Sequence, residues 1–278
     1  MNRESGRVQL EKTLALTPAL SLRRGSFLAQ RNNQSTSVEL AQPLDSILPL
    51  PGGEGRGEGE QSISRTQNKS NRALKHELWL FAGLILLLNL PLLNGTWASA
   101  FAFHPNLVRQ GEWWRVLTFP FVHVSIYHLL LDATAFFLLY SGLREPKRFN
   151  RLAFVVASAF GSLLVSLSAA QEIFFVGLCG LSGVAHGLMA VSALEMMQTN
   201  DDKKIFWAGA ISFLFVIGKA ALEAITGEVV FSQLHFGNLG TPIAVCHAGG
   251  ILGTLLVWLC CKRNSVSADR LIREKETG

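Results

Sequence analysis

The sequence predicts an all-α membrane protein, a bundle of six transmembrane helices behind a disordered N-terminal tail. Three observations predict it. Of the 278 residues 49% are hydrophobic and only 16% charged, whereas soluble domains carry about a quarter charged residues. The charges gather at the chain ends and in short connections. Six apolar stretches of near-spanning length follow one another after residue 77. One such stretch alone reads equally well as a buried core helix; six in series, with no long amphipathic helix between them, do not.

Residues 1–72 are rich in Ser, Asn, Gln, Gly and Arg and lack sustained periodicity. The run from Pro49 to Glu60 is low in complexity and cannot build a packed core. The stretches Leu16 to Ser21 and Leu48 to Glu60 resemble translated repetitive bacterial DNA. No apolar segment followed by a small-residue cleavage site precedes residue 78, so no signal peptide is expected.

The membrane part is expected over residues 73–263, with spans at 78–93, 122–143, 152–170, 182–198, 205–222 and 241–261. Each approaches the roughly 20 residues that cross about 30 Å of hydrocarbon as a helix. The first is short and interrupted by Asn89 and Pro91. Arg72 and Lys75 precede it. Arg144, Lys147, Arg148 and Arg151 separate the second and third spans, Lys203 and Lys204 the fourth and fifth, and Lys262 and Arg263 follow the sixth. The connections 171–181 and 223–240 hold no Lys or Arg. The positive-inside rule then puts both termini, including a short tail at 264–278, in the cytoplasm. The long connection 94–121, with Trp97, Trp113 and Trp114, suits the outer interface.

Composition also excludes classes. The net charge of +5 is explained by topology, and the basic residues form no patch interleaved with aromatics, so no nucleic-acid partner is expected. The four cysteines lack metal-ligand spacing, so no metal site is expected. Cys179 and Cys246 closely precede a serine and a histidine of interest, which leaves a disulfide or two buried thiols as alternatives.

That serine is Ser182, bracketed by Gly177, Gly180, Gly183 and Gly187 at the head of the fourth span. The histidine is His247, about six residues into the sixth span and so about 10 Å below the same outer surface. His123 and His128 open the second span from that side. Three spans thus bring polar groups to one depth, and an ionisable group at membrane depth is costly enough to point to function. Gly183 and Gly187 also read as a small-residue packing face. With His247 the pattern reads instead as a serine nucleophile and its general base. No well-placed third acidic residue stands out, so the expectation is a dyad. His186 lies four residues after Ser182 on the same helix face, which leaves it as an alternative base or a hydrogen-bonded site histidine. Lys219 and Glu223 read as a snorkelling lysine with a paired carboxylate.

Gly180-Leu181-Ser182-Gly183 resembles the GxSG motif of rhomboid intramembrane serine proteases. Ala248 to Gly253 after His247 resembles the glycine-rich helix that carries their histidine. Glu112-Trp113-Trp114-Arg115 resembles the Trp-Arg signature of their first outer loop. His123-x4-His128-x3-Asp132 resembles their second-span pattern, which ends in Asn. The resemblance covers residues ~75–261 in the family's order, and Gly-Leu-Ser-Gly-x-x-His-Gly, ending at His186 and Gly187, is most similar to the rhombosortase branch. That branch is associated with trimming a C-terminal Gly-Gly-containing anchor from exported proteins.

The resemblance implies a rhomboid-like bundle in a bacterial inner membrane, cutting a transmembrane segment of an exported protein without metal or organic cofactor. It implies that His128 and position 132, with Gly180 and the Ser182 amide, bind the oxyanion and substrate. Asp132 departs from the pattern. A protonated Asp132 can donate like Asn; a charged one must turn away and leave His128 the task. His123 is expected to be structural or to organise water. Two other classes compete. One is a catalytically silent scaffold that binds membrane partners. The other is a small transporter, which needs an inverted repeat that is not visible here.

Overall fold

The computed structural model describes residues 57–198, 202–230 and 237–277. Residues 1–56, most of the expected tail, lie outside the described residues. Nine α-helices are described: α1 (Gly57–Asn89), α2 (Pro105–Arg109), α3 (Arg115–Thr118), α4 (Ile126–Gly142), α5 (Arg148–Ala169), α6 (Ile173–Val176), α7 (Ser182–Met197), α8 (Lys203–Thr226) and α9 (Cys246–Thr277). The described residues are all-α, and each of the six longer helices takes up most of one of the six apolar stretches.

Helix α1 begins at Gly57, well before the apolar stretch. The Glu, Gln, Lys and Arg that precede that stretch are good helix formers and continue it outward. The helix ends at Asn89, where Pro91 enters a 3₁₀ turn over Leu90–Asn94 closed by Gly95. The Asn89 side chain is a junction. Its Nδ2 donates to the carbonyls of Ile85 and Phe121, both at 2.7 Å, and its Oδ1 accepts from the His123 amide at 2.9 Å. The residue that interrupts the hydropathy pattern therefore ties α1 to the entry of α4.

The connection 95–125 is folded around Arg115. This buried guanidinium donates from Nη1 to the carbonyls of Ser99 and Ala102, each at 2.7 Å, and from Nε to Glu112 Oε2 at 2.7 Å. Trp113 stays 65% exposed, as an interfacial aromatic should. The stretch Arg115–Phe121 meets α4 at 91°. The second apolar stretch, expected from residue 122, therefore becomes α4 only at Ile126. There the Ser125 hydroxyl accepts the His128 amide at 3.0 Å as an N-cap.

Among the described residues three stretches are long and apolar enough to cross a membrane: Arg72–Asn94, Arg148–Ala169 and Lys203–Thr226. The bent pair ending in α4 makes a fourth if it counts as one span. Their outward Trp79, Leu138, Leu214 and Ile225 are exposed, as lipid-facing residues of a multi-pass membrane protein are. Helix α7 has 16 residues, about 24 Å at the helical rise and short of about 30 Å of hydrocarbon. It compensates by centrality, packing against α4, α5, α8 and α9. Helix α9 runs on to Thr277, so most of the expected C-terminal tail is helical.

Small residues let α9 lie against α5 and α7. A methyl at Gly250 would strike the Gly183 carbonyl, and one at Gly253 the Ala157 carbonyl. Ser158 Oγ fills the seam, within 3.1 Å of Gly183 O and 3.0 Å of Gly250 O. Phe136, Tyr140, Phe154, Leu181, Leu188 and Val191 form the core beside it. At the far end of α4, Glu77 pairs with Arg151 at 2.8 Å and accepts from the Tyr140 hydroxyl at 2.6 Å. Arg151, expected as a topological charge in a connection, is therefore a buried partner of α1.

Candidate active site

Ser182 owes its place to the loop before it. Phe103 and Leu178 exchange two backbone hydrogen bonds of 2.9 Å as an isolated antiparallel bridge, and the Gly180 amide donates to Phe119 O at 3.0 Å. The outer connection thus props the segment 177–181. Gly180 has φ +100°, where a side chain is strained, and a methyl there would sit 2.9 Å from Asp132 Oδ2 and from His128 Nε2. Only glycine fits. The chain then turns into α7, with Ser182 as its first residue and the first-turn amides lacking intrahelical acceptors.

Ser182, His247, His186, His128, Asp132 and Lys219 line one cavity of about 570 Å³. They come from the first turns of α4, α7 and α9 and the last turns of α8, so the cavity lies at one end of the bundle. His247 is the second residue of α9, because 241–245, which includes Pro242, is not helical. It sits at the mouth of its helix rather than six residues inside it.

The structure places no hydrogen bond between Ser182 and His247. Ser182 Oγ lies 3.8 Å from Cys246 Sγ. The His247 ring is held elsewhere: its Nδ1 is 2.6 Å from Glu223 Oε2, and its face stacks on His186 with centroids 3.9 Å apart and planes at 14°. His186 Nδ1 lies 2.7 Å from the Ser182 carbonyl oxygen, and its Nε2 lies 3.0 Å from Lys219 Nζ. Lys219 also bonds Glu223 Oε1 at 2.6 Å. Glu223 is fully buried. The pair read from sequence as a snorkelling lysine and its counter-ion faces into the site instead. The available signal was a carboxylate at the outer end of an apolar helix, on the same side of the bundle as Ser182 and His247.

On the other wall Asp132 Oδ2 lies 3.2 Å from His128 Nε2 and 3.5 Å from His123 Nε2. His123 is fully buried and, through Nδ1, 3.3 Å from Asn89 Oδ1; it stands behind Asp132 and does not line the cavity. Asp132 faces both imidazoles and does not turn away. Cys179 and Cys246 are both free thiols. Burial first, then the charges of Asp132 and Cys246, push the Cys179 thiol up to about 12.

His186, Glu223 and His247 also offer ligand atoms that all lie within 4.8 Å of one another, a spacing a divalent ion could bridge. The Lys219 ammonium already bonds two members of that set and supplies the positive charge an ion would bring. The donor set therefore reads first as a hydrogen-bond network.

The family model described as "Rhomboid domain" matches residues 110–264, over half of the chain and all of α3 to α8. The Rhomboid-like protease 1 of Toxoplasma gondii is 29% identical over 99 residues, covering 35% of this chain and 33% of that protein. The match thus spans about a third of that relative's length. No solved structure matches. The serine heading α7 behind its glycine loop and the histidine at the mouth of α9, which line one cavity, both lie within the matched residues, and the chain belongs to the rhomboid family of intramembrane proteases.

Proposed function

We propose that the protein is an intramembrane serine endopeptidase. The observation that carries the reading is that Ser182, His247, His128 and Asp132, from three separate helices, line a single cavity at one end of the bundle. Ser182 Oγ leaves the Cys246 thiol, rotates toward His247 and attacks a peptide carbonyl. The Oγ–C bond forms, the carbonyl electron pair moves to oxygen, and the Oγ proton passes to His247 Nε2. His128, a protonated Asp132 and the first-turn amides around Ser182 hold the oxyanion. His247 then returns the proton to the leaving amine, and water hydrolyses the acyl-enzyme. Active-site contacts that are loose without substrate and tighten with it are common.

The substrate on this reading is a transmembrane segment of an exported protein, cut near the outer face after local unwinding, since a helical carbonyl is engaged in its own hydrogen bond. A rhombosortase-type Gly-Gly anchor suits that demand, because glycine leaves a helix readily. The accompanying topology is six spans with both termini cytoplasmic in a bacterial inner membrane. A fluorophosphonate is expected to label the detergent-purified chain at Ser182, with labelling lost in Ser182→Ala. Co-expressed exported protein carrying a Gly-Gly anchor is expected to be released by wild type only. The 3.8 Å Ser182–Cys246 contact favours a second reading, a silent binding scaffold; an unlabelled wild type that still captures membrane partners would establish it.

A further inference from the structure

Hydrogen-bond capacity around Ser182 assigns the protons in the site. The Ser182 carbonyl can only accept, so His186 Nδ1, 2.7 Å away, carries its hydrogen. Lys219 Nζ donates to His186 Nε2 at 3.0 Å, so that nitrogen holds a lone pair. Both nitrogens of His186 are thus engaged, and His186 has no free site with which to take the serine proton. The base must be sought on His247.

Glu223 has both oxygens occupied. Its Oε1 accepts from Lys219 Nζ at 2.6 Å and from the Val230 amide at 3.0 Å, and its Oε2 faces His247 Nδ1 at 2.6 Å. A carboxylate accepts only, so His247 Nδ1 bears the hydrogen and Nε2 is left basic. The chain of contacts begins at the Ser182 carbonyl, passes through His186, Lys219 and Glu223, and ends at the imidazole that shares the cavity with the Ser182 hydroxyl. We propose that Glu223 is a positioning residue that, held by Lys219 and the Val230 amide, fixes His247 in its Nδ1–H tautomer and offsets the charge of the imidazolium formed when Ser182 gives up its proton. This deepens the peptidase reading and rests on it: the expected dyad becomes a serine, a histidine and an orienting glutamate drawn from three helices.

Glu223→Gln is the decisive substitution because it keeps the shape. The two donors on the Oε1 side hold the amide oxygen there, which turns the amide NH₂ toward His247 Nδ1. That forces the hydrogen to Nε2, the wrong tautomer. The full chain in detergent, with ¹⁵N-labelled histidine, is expected to show Nδ1–H at His247 in wild type and Nε2–H in Glu223→Gln. Fluorophosphonate labelling of Ser182 is expected to slow by about 10²–10⁴-fold in Glu223→Gln, the order known for asparagine in place of the orienting aspartate of a serine triad. A merely structural Glu223 would leave the His247 tautomer as it is in wild type. An unchanged tautomer in Glu223→Gln, or labelling of that variant at the wild-type rate, overturns the proposal. A wild type that shows Nδ1–H yet never labels overturns the peptidase reading alone.

Discussion

Glu77 of α1 and Arg151 of α5 form a two-point ion pair, with Arg151 Nε 3.0 Å from Oε2 and Nη2 2.8 Å from Oε1. The remaining guanidinium nitrogen donates to the carbonyls of Glu145 and Pro146 at 3.0 Å. Tyr140, which bonds the same carboxylate, lies twelve residues along α4 from His128, about 18 Å at the helical rise. The pair therefore clamps the end of the bundle away from the cavity. Removing one partner of a buried pair strands the other charge and costs about 3–5 kcal/mol. Glu77→Gln is expected to lower stability by that order in a detergent unfolding titration. A loss below about 1 kcal/mol would mean that water reaches Arg151.

Gly180 separates site geometry from fold. Its φ of +100° and the 2.9 Å approach of a methyl to Asp132 and His128 put strain of about 1–3 kcal/mol at the wall assigned to the oxyanion. Gly180→Ala is expected to slow peptide cleavage by at least about a hundredfold, the order lost with one oxyanion donor. The unfolding midpoint should move less than in Glu77→Gln. Near-normal cleavage would place the oxyanion elsewhere.

Asp132 tests the departure from the family's Asn. If the carboxyl serves as a neutral donor, asparagine, which cannot ionise, reproduces the donor. Asp132→Asn is then expected to keep turnover within a few-fold and Asp132→Ala to lose about a hundredfold, measured as release of a co-reconstituted substrate. Higher activity in Asp132→Asn, together with a flatter pH profile, would show that the carboxyl is charged in wild type.

The Cys179 thiol, raised to about 12 from the usual 9.0 chiefly by burial, should be sluggish toward alkylation, since the thiolate is the reactive form. In a variant with Cys246, Cys260 and Cys261 replaced by Ala, iodoacetamide labelling is expected to climb about tenfold per pH unit past pH 9, where an ordinary thiol levels off. Levelling near 9 would show that Cys179 is solvated. The sign follows from linkage: a proton held more tightly in the folded state favours folding at neutral pH, and that contribution is lost as the pH rises above 9 toward 12.

Much of the site was legible in the sequence because its signals are local. Ser182 and His186 are four residues apart on one helix, and so are His128 and Asp132; the glycines beside them mark close backbone approach. His247 was visible as a polar residue in an apolar run. Its partner was not, because the contact with Glu223 joins residues 24 apart and is made only when α8 lies beside α9. Lys219, four residues away, gave the carboxylate a sufficient local explanation. Arg151 was misread for the same reason, as a positive-inside charge with no visible need of Glu77. The expected depth of His247 failed on helix boundaries: hydropathy extends over Ile243 and Ala244, but Pro242 and the turn at Gly240, with φ +71°, delay α9 to Cys246.

On the proposed reading of six spans and a peptidase site, the brevity of α7 makes the surrounding lipid part of the apparatus. A segment about 6 Å shorter than the hydrocarbon slab must either pull the leaflets together or sink its first residue beneath them. On that same reading the hydroxyl at its tip lies under a dip in the bilayer that solvent can fill and into which a neighbouring strand of protein can tip, and leaflet thickness becomes a setting on the proposed reaction, exerted by acyl chains that touch no reacting atom.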